Sequence, residues 1–249
     1  MSPGTKPAYA IGMFFFILVL FFPTAYAECD NSSCPGDLDA VLSVAPNAPA
    51  DEVPGQSLAS NRFESIGLRA EVFEAANRAF RSAWEADDTQ KTVFTIIDYS
   101  MDSDKKRLWI IDMASGEVLF HEHVAHGVNS GSKRVEKMSN VAESRTSNLG
   151  LLRTAETYYG RHGYSLKLDG LEPGFNNNAR SRAIVIHGAS YVTEDFIEEH
   201  GRAGRSWGCP ALNPEVTRRI IDRIKGGSLV FGYYTDATWL QESKYLSED

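Results

Sequence analysis

Between Val93 and Tyr234 the chain is cut into short β-type runs: Val93 to Tyr99, Leu108 to Met113, Glu117 to Phe120, Leu149 to Thr154, Ala183 to Ile186 and Leu229 to Tyr234. Turn residues such as Ser115-Gly116 and Gly226-Gly227 separate them. Strands this short, with so little helix between them, leave no room for the alternating layers of a doubly wound sheet. They predict a mainly β sandwich or barrel of largely antiparallel strands. Two short inserted helices interrupt the pattern, Glu194 to His200 and Pro214 to Ile224, the second with Asn213 placed to cap it and Pro214 in its first turn. Upstream, Phe63, Ile66, Ala70, Phe73, Ala76, Phe80 and Ala83 recur at helical spacing, opposite Glu71, Glu74, Arg78 and Arg81. That predicts an N-terminal amphipathic helix packed on the sheet.

The first residues set the compartment. Lys6 is followed by an apolar run from Ile11 to Phe22 and by the small-x-small site Ala25-Tyr26-Ala27, so residues 1–27 read as a signal peptide. The run is shorter than the roughly 20 residues that cross a bilayer, which argues against stable membrane insertion after cleavage. Glu28 stands between the cleavage point and Cys29, which argues against lipidation. Residues 28–61, punctuated by Pro35, Pro46, Pro49 and Pro54, read as a flexible tether, and residues 62–249 as one catalytic-sized domain that includes the helix. The expectation is an exported, monomeric protein of the periplasm or cell envelope. With 25 Lys plus Arg against 33 Asp plus Glu, and no basic stripe, nucleic acid is not an expected partner.

Export gives the cysteines meaning. Of the three, Cys29 and Cys34 lie close together as a candidate disulfide, and their pairing would leave Cys209 alone. A lone thiol outside the cytoplasm is either buried and inert or kept for its chemistry. Its surroundings, Arg205-Ser206-Trp207-Gly208-Cys209-Pro210, suit a tight loop whose backbone N–H groups could converge on an oxyanion, with Pro210 stiffening the exit and Arg205 favouring the thiolate. Such a thiol needs a base. Among six histidines, His187 ends the apolar strand Ala183-Ile184-Val185-Ile186 and is followed by Gly188, whose carbonyl could hold one ring nitrogen and leave the other for the sulfur. A core histidine beside a structural thiol accounts equally well for these two residues taken alone.

The pair Ile186-His187-Gly188 and Ser206-Trp207-Gly208-Cys209 resembles the active-site signature of the YkuD-type L,D-transpeptidases, in the branch described as the murein L,D-transpeptidase catalytic domain family. The resemblance runs over most of Thr92 to Tyr234, including Val124-Ala125-His126-Gly127, Ser147-Asn148-Leu149-Gly150, Thr154-Ala155-Glu156-Thr157-Tyr158-Tyr159-Gly160 and Val185-Ile186-His187-Gly188-Ala189. It implies a YkuD-like β-sandwich and acyl transfer on peptidoglycan stem peptides without a cofactor or metal. Cys209 would be the nucleophile, His187 the base and the Gly188 carbonyl its orienter. Backbone N–H groups at Trp207, Gly208 and Cys209 would hold the oxyanion. Carbapenem acylation of Cys209 follows from the same resemblance.

Trp207 departs from the pattern, standing where the wider family carries a second histidine, and Pro210-Ala211 replaces a hydrophobic residue followed by Arg or Asn. This leaves an L,D-carboxypeptidase, with water as acceptor, as one alternative and a dormant wall-binding envelope protein as another. Arg205, Ser206, His126, Tyr158, Tyr159 and Tyr191 are candidate pocket residues, while Glu156 and Arg182 read as solvated or structurally paired charges. The cluster His121-Glu122-His123-Val124-Ala125-His126 raises zinc as a rival, but Ala125 occupies the position where a helical metalloprotease motif needs its second histidine.

Overall fold

The structure, a computed structural model, describes residues 53–247. The expected signal peptide and the Cys29–Cys34 pair lie outside the described residues. The chain is already packed where the tether was expected to end: the Gly55 carbonyl accepts a hydrogen bond from Asn77 Nδ2 at 2.9 Å, and Leu58 lies against the core.

The expected helix from Phe63 is divided in two. A single turn, α1 (Asn61–Glu64), stops before Gly67, which is left-handed at φ +78°, and α2 (Ala70–Glu85) starts afresh. Helical spacing thus continues across a break that only the glycine announces. On α2 the residues Val72, Phe73, Ala76, Ala79, Phe80 and Ala83 form the buried face, and Phe63 from α1 packs on Phe73 with ring centroids 4.6 Å apart.

Ten strands follow: β1 (Val93–Asp98), β2 (Leu108–Asp112), β3 (Glu117–Glu122), β4 (His126–Gly127), β5 (Gly150–Gly160), β6 (Gly163–Gly170), β7 (Val185–Gly188), β8 (Arg205–Ser206), β9 (Ala211–Leu212) and β10 (Leu229–Tyr233). Eight of them form one sheet in the order β3-β2-β1-β10-β5-β6-β7-β9, and β4 pairs with β8 in a small second sheet. The main sheet is antiparallel except where β1 meets β10 and β7 meets β9. The expected inserted helices are present as α3 (Glu194–His200) and α4 (Pro214–Ile224), and Asn213 caps α4 by accepting from the Glu215 N–H at 3.1 Å. A further helix, α5 (Ala237–Glu242), was not expected. The domain is mainly β, as the sequence predicts.

Every residue of β1 is buried because both faces of the sheet are covered. Phe94 and Ile96 face α2 and the Trp239 side chain of α5, whereas Val93 and Ile97 face a second cluster that includes Ile220, Ile221 and Ile224 of α4. Trp239 is fully buried and its Nε1–H donates to Glu172 Oε2 at 2.9 Å, fastening the C-terminal helix to the sheet. Among the described residues, no helix is long and apolar enough to cross a membrane.

Trp239→Ala should therefore cost about 3–5 kcal/mol of stability, since it removes a buried indole and leaves Glu172 with an unmet acceptor. Urea unfolding followed by circular dichroism measures this, and a loss below about 1 kcal/mol would contradict the packing role assigned to α5.

Candidate active site

Two strand connections bring the sequence candidates together. His187 and Val185 are two residues apart on β7 and share a face, and β9 runs beside them in parallel, pairing His187 with Ala211 and Gly188 with Leu212. Arg205 and Ser206 of β8 belong to the other sheet, where they pair with His126 and Gly127. Residues 207–210 therefore bridge the two sheets, and Cys209 sits on the bridge.

The bridge is tightly held. Gly208 has φ +122°, and a Cβ there would stand 2.6 Å from the Thr146 carbonyl oxygen, so both conformation and space require glycine. Ser206 Oγ accepts from the Gly208 N–H at 3.0 Å and donates to the Cys209 carbonyl at 2.7 Å. Ser147 Oγ donates to the Gly208 carbonyl at 3.3 Å. These bonds correct one expectation: the Gly208 N–H is committed to Ser206 rather than aimed into the cavity. The N–H groups of Trp207 and Cys209 have no hydrogen-bond partner among the described residues.

Cys209 Sγ accepts from the Val185 N–H at 3.5 Å and donates to the Ala183 carbonyl at 3.6 Å. Burial pushes its thiol above the ordinary value of 9.0, while the Val185 N–H, Arg182 and Arg161 pull it down without reversing the balance. Cys209 is half-buried, whereas His187 is buried, with its Nδ1 3.0 Å from the Gly188 carbonyl. A carbonyl can only accept, so the proton is assigned to Nδ1 and the Nε2 lone pair is free. Burial holds this imidazole below its ordinary 6.5; the Gly188 bond opposes that, and His162 and Arg161 add to it. A neutral thiol and a neutral imidazole thus line one cavity of about 510 Å³.

Tyr158, Tyr191, Arg205, Ser206 and Trp207 line the same cavity. Tyr159 and His126 do not. Tyr159 is 70% exposed, and its hydroxyl accepts from Arg218. His126 is buried, with Nδ1 2.8 Å from the guanidinium of Arg107, itself buried and bound to the carbonyls of Met101 and Val124. Burial and this neighbouring cation bring His126 down to about 4, the behaviour of a neutral histidine that anchors β4. The other histidines of that cluster are held by backbone carbonyls, His121 by Lys106 at 3.0 Å and His123 by Asp104 at 3.2 Å. Glu156 is an exposed ion-paired carboxylate bound by Lys167 and Arg180, as its sequence context suggested.

Three cavity residues were not among the pocket candidates read from the sequence, Arg182 having been read as a solvated or structurally paired charge. Strands β5 and β6 form a hairpin whose tip carries Arg161 and His162 over the site: the His162 ring stacks on His187 at 4.3 Å and 25°, and Arg161 lies 5.6 Å from the Trp207 ring. The alternation of Leu166 and Leu168 after Gly163 was the available sign of β6. Arg182 is the third, and none of its hydrogen bonds goes to a carboxylate. It donates to the carbonyls of Ser139 at 2.6 Å and Thr146 at 2.7 Å, to Asn148 Oδ1 at 2.8 Å and to Ser144 Oγ at 3.0 Å. It thereby ties the segment that packs under Gly208 to the cavity wall.

Residues 64–233 match the L,D-transpeptidase catalytic domain family. Comparison with curated protein sequences gave no match. Among solved structures, the chain is similar to an L,D-transpeptidase from Mycobacterium smegmatis, with 13% identity, a TM-score of 0.37, and 57% of this chain and 59% of that chain covered. It is similar to the helical cell shape determining protein Pgp2 from Campylobacter jejuni at 11% identity and a TM-score of 0.38, over 64% of this chain and 55% of the other. A third is an L,D-transpeptidase from Stackebrandtia nassauensis, at 12% identity and a TM-score of 0.35, with 72% and 77% covered. The chain thus spans 59% and 55% of the length of the first two.

The stack of His162 on His187 has a measurable consequence. Removing His162 takes away a like-charged neighbour and opens His187 to water, and both changes favour the imidazolium. In an NMR titration, His187 should have a midpoint below 6.5 in the wild type and a higher one in His162→Ala. A wild-type midpoint at or above 6.5 would contradict the burial argument.

Proposed function

The chain belongs to the L,D-transpeptidase catalytic domain family, and from that premise we propose that it is an exported enzyme carrying out cysteine-dependent acyl transfer on the tetrapeptide stems of peptidoglycan. The observation that supports the reading most is that Cys209 Sγ and His187 share one cavity, with His187 Nδ1 engaged by the Gly188 carbonyl and Nε2 left to accept a proton. Cys209 is the nucleophile and His187 the general base in this proposal.

In the first half-reaction His187 Nε2 takes the thiol proton as Sγ bonds to the carbonyl carbon at the L-centre of diaminopimelate. The negative oxygen that develops is within the province of the free Trp207 and Cys209 N–H groups. Collapse breaks the bond to terminal D-Ala, whose amine receives the proton from His187, and leaves a thioester on Cys209. In the second half-reaction an acceptor amine attacks the thioester carbon, its proton returns through His187 to sulfur, and the C–S bond breaks. Because burial keeps both partners neutral at rest, proton transfer accompanies attack rather than preceding it. The same acyl chemistry lets a carbapenem carbonyl acylate Cys209.

Mass spectrometry of disaccharide-tetrapeptide muropeptides, incubated with the wild type and with Cys209→Ala, tests the proposal. The wild type should release D-Ala and form crosslinked dimers, and the mutant should be slower by about 10³-fold or more. Tripeptide as the sole product would replace the reading with an L,D-carboxypeptidase. No release of D-Ala would replace it with a dormant wall-binding protein.

A further inference from the structure

The loop that carries Cys209 is gripped from outside the cavity, by a strand centred on a histidine that the proposed chemistry does not use. Residues 125–128 reach both ends of this loop. The Val128 N–H donates to the Ser206 carbonyl at 2.8 Å, just before residues 207–210, and the Ala125 N–H donates to the Ala211 carbonyl at 2.9 Å, just after them. Between these two bonds the Gly127 N–H donates to Ser147 Oγ at 3.0 Å, and that hydroxyl donates in turn to the Gly208 carbonyl. The short strand β4 and its flanking residues thus hold the two ends and the middle of the loop.

The side chain of His126 fastens this strand. It is fully buried, with Nδ1 2.8 Å from Arg107 Nη2 and Nε2 3.4 Å from the Gly131 carbonyl. A guanidinium only donates and a carbonyl only accepts, so Nδ1 carries the lone pair and the proton is assigned to Nε2. The ring fits this place in its neutral form alone. A second proton, on Nδ1, would point at the guanidinium of Arg107, which burial lowers to about 10 and which therefore stays charged in neutral and acid solution. The groups around the ring offer no relief. Arg205 of β8 donates to the same Gly131 carbonyl at 3.3 Å and adds a second cation, and Tyr99, whose ring lies 5.4 Å from the Arg107 guanidinium, is kept neutral by burial. The carboxylates that act on Arg107 from further off, Asp98, Asp102 and Asp104, are ion-paired with Arg69, Arg134 and Lys133.

We infer that Arg107 and His126 are positioning residues for Cys209 and that their contact is an acid-sensitive catch: protonation of His126 drives its ring from Arg107, frees β4 and loosens the loop at both ends. The sign follows from proton binding. In the closed site His126 titrates at about 4, and once released it regains the ordinary 6.5. Between these values the open form binds more protons than the closed one, so opening grows as pH falls, by up to about tenfold per pH unit. The structural part of the inference stands apart from the acyl transfer proposed above. Only its consequence for activity, loss of the aligned thiol in acid, rests on that reading.

Amide hydrogen exchange of the full mature chain, read by NMR from about pH 6.5 to about pH 4.5 and corrected for the intrinsic rate, tests the catch. Exchange is the readout because D-Ala release also falls when His187 is protonated. The opening constants at Ala125, Gly127, Val128 and Gly208 should rise by about thirtyfold or more across that range, while amides of β1 stay at least about tenfold better protected. His126→Asn keeps an acceptor for Arg107, with Oδ1 in the place of Nδ1, and takes up no proton, so its opening constants should change by less than about threefold. A wild-type rise below about threefold, or an equal rise in His126→Asn, would overturn the inference. Acyl transfer is decided separately, by D-Ala release at neutral pH. Should the variant fail to fold, the wild-type ring itself decides: its NMR midpoint should lie below about 5, and a midpoint near 6.5 would overturn the inference.

Discussion

The candidate site depends on one constraint: Cys209, half-buried, and His187, buried, are withdrawn from bulk water in the same cavity wall. Burial disfavours charge on either group, raising the thiol and lowering the imidazole. The pair therefore rests neutral and holds its reactivity in geometry rather than in a standing ion pair. That makes every contact that fixes the two residues part of the proposed chemistry. The Gly188 carbonyl fixes the ring, the Val185 N–H and Ala183 carbonyl fix the sulfur, and Arg182 fixes the segment against which Gly208 packs.

The fold supplies these contacts by making the loop that carries Cys209 a bridge between two sheets. One end is anchored by β8 on β4, behind which Arg107 and His126 form a buried polar brace, and the other by β9 on β7. Beneath it, helix-covered strands give the main sheet two apolar faces, so that β7 starts from a rigid base. Above it, the β5–β6 hairpin contributes Arg161 and His162. Around Cys209 and Trp207 stand Arg145, Arg161, Arg182 and Arg205, on a chain whose net charge is −8. None of the four forms an ion pair among the described residues, and Glu143 is the one carboxylate on these walls, so the groove carries an excess of positive charge on an acidic protein.

Much of this was legible in the sequence, for identifiable reasons. The runs at β1, β2 and β10 stood out because strands buried on both faces are continuously apolar, and the caps of α4 were visible as Asn213 and Pro214. Cys209 and His187 were legible because a thiol between Gly208 and Pro210, in a sequence that reads as exported, and a histidine ending an apolar strand are both local patterns. What was hidden depends on pairing across distance. The break at Gly67 lies inside an unbroken helical period. Arg161 and His162 reach the site only once β6 folds back on β5, and Arg182 acts through four acceptors on a segment more than thirty positions upstream. His126 looked like a pocket residue from its position before Gly127, but the buried guanidinium of Arg107 claims its ring instead.

The claim that Cys209 rests as a thiol is open to direct measurement. The rate of its alkylation by iodoacetamide, followed by peptide mapping from about pH 5 to about pH 10, reports the thiolate fraction. The account predicts a rate that climbs throughout, with a midpoint above 9.0. A plateau of high reactivity extending below about pH 7 would mean a preformed thiolate–imidazolium pair, and would contradict the burial argument on which the mechanism rests.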